Sequence, residues 1–277
     1  MSPKLIAIAL MCLAARGQIS TPTFEVASIK PATPLGPLGM RSNRNGGPGT
    51  ADPGRYICEN CPVSSVLYEA YDLLDFEYAG PTWVHNMRFD FTAKIPPGAT
   101  KEMLRIMLQN LLTERFKLAV HREKKEMRVY ELTAARNGPK FGESARENAP
   151  QESGPAGKLQ QDKDGFPVLP TGISAMAITS NRARLRSDNQ PMAWLARMLA
   201  GQLEGPVIDA TGLNGKYNFV VSWAFDENNT GGAAMLDPFR PALIGAIQSQ
   251  LGLKLEQKKG QAEVLVIDHI ERAPTGN

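Results

Sequence analysis

One series of local signals runs through this chain twice, and a chain that repeats itself in this way folds as two similar units. Asn60-Cys61-Pro62 and Asn189-Gln190-Pro191 each open a helix, because proline fits the first helical turn, where its missing N–H is not needed. The helices they open space apolar residues three and four apart: Val66, Leu67, Ala70, Tyr71 and Leu74 in the first, Met192, Leu195, Ala196 and Leu199 in the second. Gly80-Pro81 then corresponds to Gly205-Pro206, and Arg88-Phe89-Asp90-Phe91 to Lys216-Tyr217-Asn218-Phe219. Both of the latter are strand patterns, with Phe89 and Phe91 on one face and Tyr217, Phe219, Val221 and Trp223 on one face.

A second helix follows in each half. The first has Thr100 as N-cap, Glu102 in its first turn and a stripe of Met103, Leu104, Met107, Leu108, Leu111 and Leu112. Its counterpart is introduced by Pro238 and Pro241, carries Leu243, Ile244, Ile247 and Leu251, and is closed by Gly252. Phe116-Lys117-Leu118 matches Leu253-Lys254-Leu255, and Met127–Ala134 matches Glu263–Ile270. In the first half Phe116–Arg122 and Met127–Ala134 are expected to form a hairpin about Glu123–Glu126, with the charge run Arg122–Arg128 at its solvated tip.

The expected fold is therefore α+β: two tandem copies of a strand-helix-strand-helix-strand-strand module, each a small mixed sheet covered by two helices. The copies span 55–141 and 171–277. Between them, 142–170 is a polar linker or loop. Before them, 18–54 holds a strand at Phe24–Lys30 and an irregular stretch at Pro31–Gly54, and Arg182–Arg186 takes the place of the strand Arg55–Glu59. Asp226–Asp237 is an additional loop in the second copy.

The first 17 residues read as a secretory signal peptide. Lys4 precedes the apolar run Leu5–Ala15, which ends in small residues near Gly17. That run is about half the roughly 20 residues a bilayer span needs, and no later stretch is apolar enough for one. Removing it places the protein outside the cytoplasm, periplasmic or extracellular, with no transmembrane segment. Cys12 lacks the small residue expected before a lipidated cysteine. With 31 basic and 28 acidic residues spread along the chain, no basic stripe stands out, which argues against nucleic acid.

The remaining cysteines, Cys58 and Cys61, have the CxxC spacing of a small disulfide loop, a redox dithiol or half a zinc site. In an exported protein the disulfide is the preferred reading; the corresponding positions of the second copy, Ser187 and Gln190, argue against a required catalytic role. Three histidines, His85, His121 and His269, show no paired metal-ligand spacing. No GxSxG elbow is present, and Asn45–Gly49 does not lead into a phosphate-binding helix. Trp83, Tyr130, Trp194 and Trp223 are placed for the core rather than for a ligand groove. The residues thus give no catalytic, cofactor-binding or metal site, and the expected function is a non-enzymatic binding, sensory or interaction module whose partner is an envelope protein or small ligand. The alternative is an envelope enzyme, with thiol-redox chemistry at the CxxC pair.

These motifs also carry a resemblance. The segment from Val66 to Lys140, with Gly80-Pro81-x-Trp83, Arg88-Phe89-Asp90-Phe91, Arg115-Phe116-Lys117-Leu118 and His121-Arg122-Glu123, resembles the soil-associated family of exported bacterial proteins of unknown function found chiefly in acidobacteria. Asp209-x-Thr211-Gly212-Leu213-x-Gly215-Lys216-Tyr217 and Gln250-Leu251-Gly252-Leu253-Lys254-Leu255 extend the resemblance through the second half, and Phe24-Glu25-Val26-Ala27-Ser28-Ile29-Lys30-Pro31 through the start. The family has no established activity and so supplies no catalytic residues. Fusion of some relatives to membrane metallopeptidase sensors implies a sensory or binding role outside the cytoplasm. The CxxC departs from the family pattern. The modules are also similar to small α+β domains near the N-termini of secretins and outer-membrane receptors.

Overall fold

The structure, a computed structural model, describes residues 21–33, 42–145, 160–179, 181–224 and 239–276. The signal segment at 1–17 and the additional loop at Asp226–Asp237 lie outside the described residues.

In chain order the strands and helices are β1 (Val26–Pro31), β2 (Asn43–Gly46), β3 (Arg55–Pro62), α1 (Val63–Tyr71), β4 (Tyr78–Ala79), β5 (Arg88–Lys94), α2 (Lys101–Phe116) and β6 (Ala119–Ala134). They continue as β7 (Gly142–Glu143), β8 (Ala175–Ile178), β9 (Arg182–Pro191), α3 (Met192–Leu203), β10 (Val207–Asp209), β11 (Lys216–Ala224), α4 (Phe239–Ala246) and β12 (Leu253–His269). A π-helical turn, Ile247–Leu251, extends α4 to Gly252. The fold is α+β.

The prolines act as read: α1 and α3 start directly after Pro62 and Pro191. Thr100 caps α2 by accepting the Met103 N–H at 3.2 Å. The stripe of α2 is buried at Leu104, Met107, Leu108, Leu111 and Leu112. On β11, Tyr217, Phe219, Val221 and Trp223 are all buried while Asn218 and Val220 are exposed.

The sheets depart from expectation. Among the described residues there are three, not two. One has the order β1-β5-β3-β2 and another β7-β11-β9-β8, and every pairing in both is antiparallel, so neither is mixed. Among the described residues, parallel pairing is confined to the third sheet, β10-β6-β12-β4, where β10 runs with β6 and β4 with β12. The stretch read as irregular after Pro31 contains β2.

The expected hairpin is absent. β6 passes straight through Glu123–Glu126 as one 16-residue strand and pairs antiparallel along its whole length with the 17-residue β12, from Ala119 opposite His269 to Ala134 opposite Leu253. The four residues assigned to the turn include no Gly, Pro, Asn or Asp, so nothing there favours a reversal. The charged middle of this ribbon is explained by solvent on both of its faces, where strand alternation between core and water does not apply. Gly260 sits in it opposite Met127; a Cβ there would fall 2.7 Å from a methyl of Val129.

Because the ribbon is continuous, each half of the chain contributes a strand to the other's core. The first core, built on α1, α2, β3 and β5, includes Leu265 of β12, with Val120, Ile267 and Ile270 packed against it. The second, built on α3, β9 and β11, includes Tyr130 and Leu132 of β6. Arg197 of α3 ties the two halves together: its guanidinium donates to both carboxylate oxygens of Glu77, at 3.1 and 2.9 Å, and to the carbonyl of Asp72.

Candidate functional site

The strands β3 and β9 carry the same irregularity. Pairing with β5 slips between Cys58 and Cys61, and pairing of β9 with β11 slips between Ser187 and Gln190. At each slip an asparagine adopts a left-handed conformation, Asn60 with φ 52° and Asn189 with φ 57°, a region asparagine tolerates better than most residues. The Asn60 N–H donates to Asp90 at 2.7 Å, and the Asn189 N–H donates to Asn218 at 2.7 Å. Cys58 and Cys61 are bonded across the first bulge, their Cα atoms 5.7 Å apart. Both are 0 % exposed, so a thiol–disulfide exchange partner has no access to either sulfur. In the second bulge, Ser187 donates to the Tyr217 carbonyl at 2.9 Å.

The other sequence candidates are separate from one another. His121 lies on β6, where its Nδ1 is 2.8 Å from Asp268, and His269 is exposed at the end of β12. His85, in a 3-10 turn, sits edge-on to Tyr68 and Tyr78, with ring centroids 6.1 and 5.2 Å away. Tyr68 donates to Asp75 at 2.7 Å and Tyr78 to the Pro81 carbonyl at 3.0 Å. Burial, and for Tyr68 also the Asp75 carboxylate, pushes both phenols up, Tyr78 to about 12. They stay protonated near neutral pH and serve as neither nucleophile nor base there. Tyr130 and Trp223 are core residues, Trp194 packs against the second core, and Trp83 packs against the first with Arg272 5.9 Å from its ring centre. Among the described residues no group of three or more His, Cys, Asp and Glu is arranged to hold a metal. Nor is any helix there long and apolar enough to cross a membrane.

Three surface depressions of similar size differ in chemistry. One of about 480 Å³ lies on the ribbon and is walled by Glu126, Met127, Arg128, Gln257, Lys258 and Lys259. A second, of about 500 Å³, is lined by Arg44, Tyr68, Glu69, Asp72, Lys101 and Arg105 among others; both of its arginines are engaged, Arg44 with Glu69 at 3.3 Å and Arg105 with Asp72 at 2.9 Å. The third, of about 490 Å³, is the most apolar. It lies on the outer face of the β7-β11-β9-β8 sheet, between Val168, Leu169, Ala175, Ala177 and Val220.

This third groove is built by residues 160–170, the last third or so of the stretch 142–170 that the sequence marks as linker. Asp162 accepts the N–H groups of Asp164 and Phe166 at 2.9 and 3.0 Å, making a tight turn closed by Gly165. The turn seats Phe166, 1 % exposed, under the Arg184 guanidinium, 4.1 Å from the ring centre. Arg184 also donates to Asp162, to Asp164 at 2.9 Å and to Ser222 at 3.1 Å. Arg186 donates to the Leu169 carbonyl at 2.6 Å and pairs with Asp188 at 3.4 Å. Partial burial works to raise the Asp162 carboxyl, but the bonds from Arg184 and the two N–H groups outweigh it and hold it low. Arg182, Arg184 and Arg186 thus face Asp162, Asp164 and Asp188, and the groove is neutral. Val168 and Val220 on its rim are 52 % and 51 % exposed. Sequence reasoning missed it because Phe166, Val168 and Leu169 are interrupted by Pro167 and closed by Pro170, and so show neither a strand nor a helix period; the signal available was Asp162-x-Asp164-Gly165, a turn former placed before an aromatic.

Fold and groove together define an α+β protein of two cores joined by a shared ribbon, with one apolar depression on an outer sheet face. The chain belongs to the family described as protein of unknown function (DUF3738), matched over residues 64–270, from the first turn of α1 to just past β12. No curated protein and no solved structure matches it.

Proposed function

We propose that the chain is an exported, non-enzymatic module that binds an envelope protein or a small ligand outside the cytoplasm, as its resemblance to the soil-associated acidobacterial proteins implies. The observation that carries the binding reading is the groove beside β8, whose walls are apolar and whose arginines are already matched by carboxylates. Such a surface holds a ligand rather than transforming it. Export rests on the leader at 1–17 and on the Cys58–Cys61 bond, a linkage that persists in oxidising compartments. A reporter active only outside the cytoplasm, fused after Gly17, is expected to be active; a reporter retained inside the cell removes the localisation. Thiol labelling of the protein is expected to reach neither Cys58 nor Cys61 until it is unfolded and reduced.

We further propose that 55–141 and 171–277 are two copies of one module that have exchanged their last strands. The shared strand order, the asparagine bulges and the matched hydrogen bonds from Asn60 and Asn189 support it. So do two ion pairs related by the same shift along the chain, His121 with Asp268 and Lys258 with Glu131.

A further inference from the structure

The outer strands of the two antiparallel sheets are not equally protected. β1 ends in Lys30-Pro31, β2 reads Asn43-Arg44-Asn45-Gly46, and β7 is two residues long. Charge, proline, glycine and shortness are the usual ways an edge is kept from pairing. β8, Ala175-Met176-Ala177-Ile178, has none of the first three. β9 holds one side of it, and among the described residues no strand pairs with the other. Ile178 is 58 % exposed. β2 occupies the same place in the other sheet and is polar throughout, so the fold does not require an apolar strand here.

We propose that β8 is a docking edge that takes up an extended segment of another protein as a fifth strand, with one large apolar side chain of that segment filling the groove over Ala175 and Ala177. This rests on the reading of the chain as a binding module. The register supports it, because Ala175 lies opposite Arg186 and Ala177 opposite Arg184, so the small faces of β8 and the groove are one continuous surface. In strand addition the backbone supplies affinity and alternate side-chain pockets supply selection. Two features define the occupant. The three arginines are balanced by three aspartates, so an uncharged side chain fits. A second copy pairing antiparallel through β8 would offer only Ala175 and Ala177 to that face and leave the groove of about 490 Å³ open. The occupant is therefore a proline-free extended peptide with Leu, Ile or Phe at alternate positions, about 13 Å of it matching four residues of strand.

The test pans the full chain against phage-displayed random dodecapeptides and measures binding of the selected peptides by fluorescence anisotropy. Selected sequences are expected to alternate large apolar residues and to lack proline in the paired stretch. Binding should weaken about tenfold or more with Val220→Asp, with Val168→Asp, and with peptides N-methylated at alternate backbone positions, and stay unchanged with Val26→Asp on β1. The N-methylated peptides test the pairing without altering the protein. Peptides that bind equally well to the groove variants and in N-methylated form would overturn strand addition while leaving a binding module. Failure to select any peptide would overturn it outright, and so would a dimer in sedimentation that Val220→Asp leaves intact and Ala177→Pro dissociates, which assigns the edge to a second copy.

Discussion

The two halves of the molecule bury apolar helices on sheets of the same strand order, yet they secure the same irregularity differently. The Asn60 bulge is closed by a covalent bond between Cys58 and Cys61, and the Asn189 bulge by the Ser187 hydroxyl on the Tyr217 carbonyl. The cross-link is therefore an addition to a geometry that stands without it. What the halves share is the backbone path; what differs is what holds it and what the edges expose.

The comparison predicts its own weak points. The largest effect is expected at the strands of the shared ribbon. Leu265→Ala, 2 % exposed, empties a site in the first core although it lies near the end of the chain, and should lower stability by about 2–5 kcal/mol. Urea unfolding followed at probes in both halves should still give one transition. Two separate transitions, with the first half unaffected, would refute the exchange. Next in size is the cross-link: Cys58→Ser with Cys61→Gln installs the residues of the second half and should cost about 2 kcal/mol, the chain-entropy value for a loop this short. A cost near zero would make the two closures equivalent. Asn60→Ala and Asn189→Ala should each cost about 1–2 kcal/mol, because alanine in the left-handed region is disfavoured by that much; unequal costs would mean that the disulfide alters what the first bulge asks of its asparagine.

The smallest effect concerns the related ion pairs. The hydrogen bond that His121 donates to the Asp268 carboxylate, helped by that carboxylate's charge, raises His121 above its ordinary value, so the folded state binds the proton more tightly than the unfolded. That stabilisation is full below about pH 6.5 and is lost as pH rises through the elevated folded value. Lys258, raised by its bond to Glu131, stays charged throughout that window. A melting-temperature profile should therefore slope downward just above pH 6.5 in the wild type and flatten in Asp268→Asn, whereas Glu131→Gln should leave the slope in place.

Helices, caps and strand faces were legible in the chain because they are local. Pro62, Pro191, Thr100 and Gly252 mark boundaries through their own backbone chemistry, and the stripe of α2 shows the period of a buried helix. The ribbon was not legible in the same way. Whether Glu123–Glu126 turns or runs on depends on a partner more than a hundred residues away, and its charges fit a hairpin tip as well as a wet two-stranded bridge. The absence of any turn-forming residue there was the one local clue. The groove was hidden for a related reason: it needs residues 160–170 to lie back on β9 and β11, and the apolar residues there, Phe166, Val168 and Leu169, are broken up by prolines and show no period. The cysteine pair was visible by spacing, but its burial beneath a bulge follows from the slip against β5.

The ribbon of β6 and β12 also governs the order in which this chain reaches its native state. A polypeptide emerging from its first residue onward has α1, α2 and their sheet in hand long before β12 exists, and it must hold an open apolar seam where Leu265 will sit. Completion waits on the last strand, a contact of very long sequence separation that is slow to form. A chain that includes α3, β9 and β11 but stops short of β12 thus leaves both cores unsealed at once, so such an incomplete product offers proteases two targets rather than one finished half.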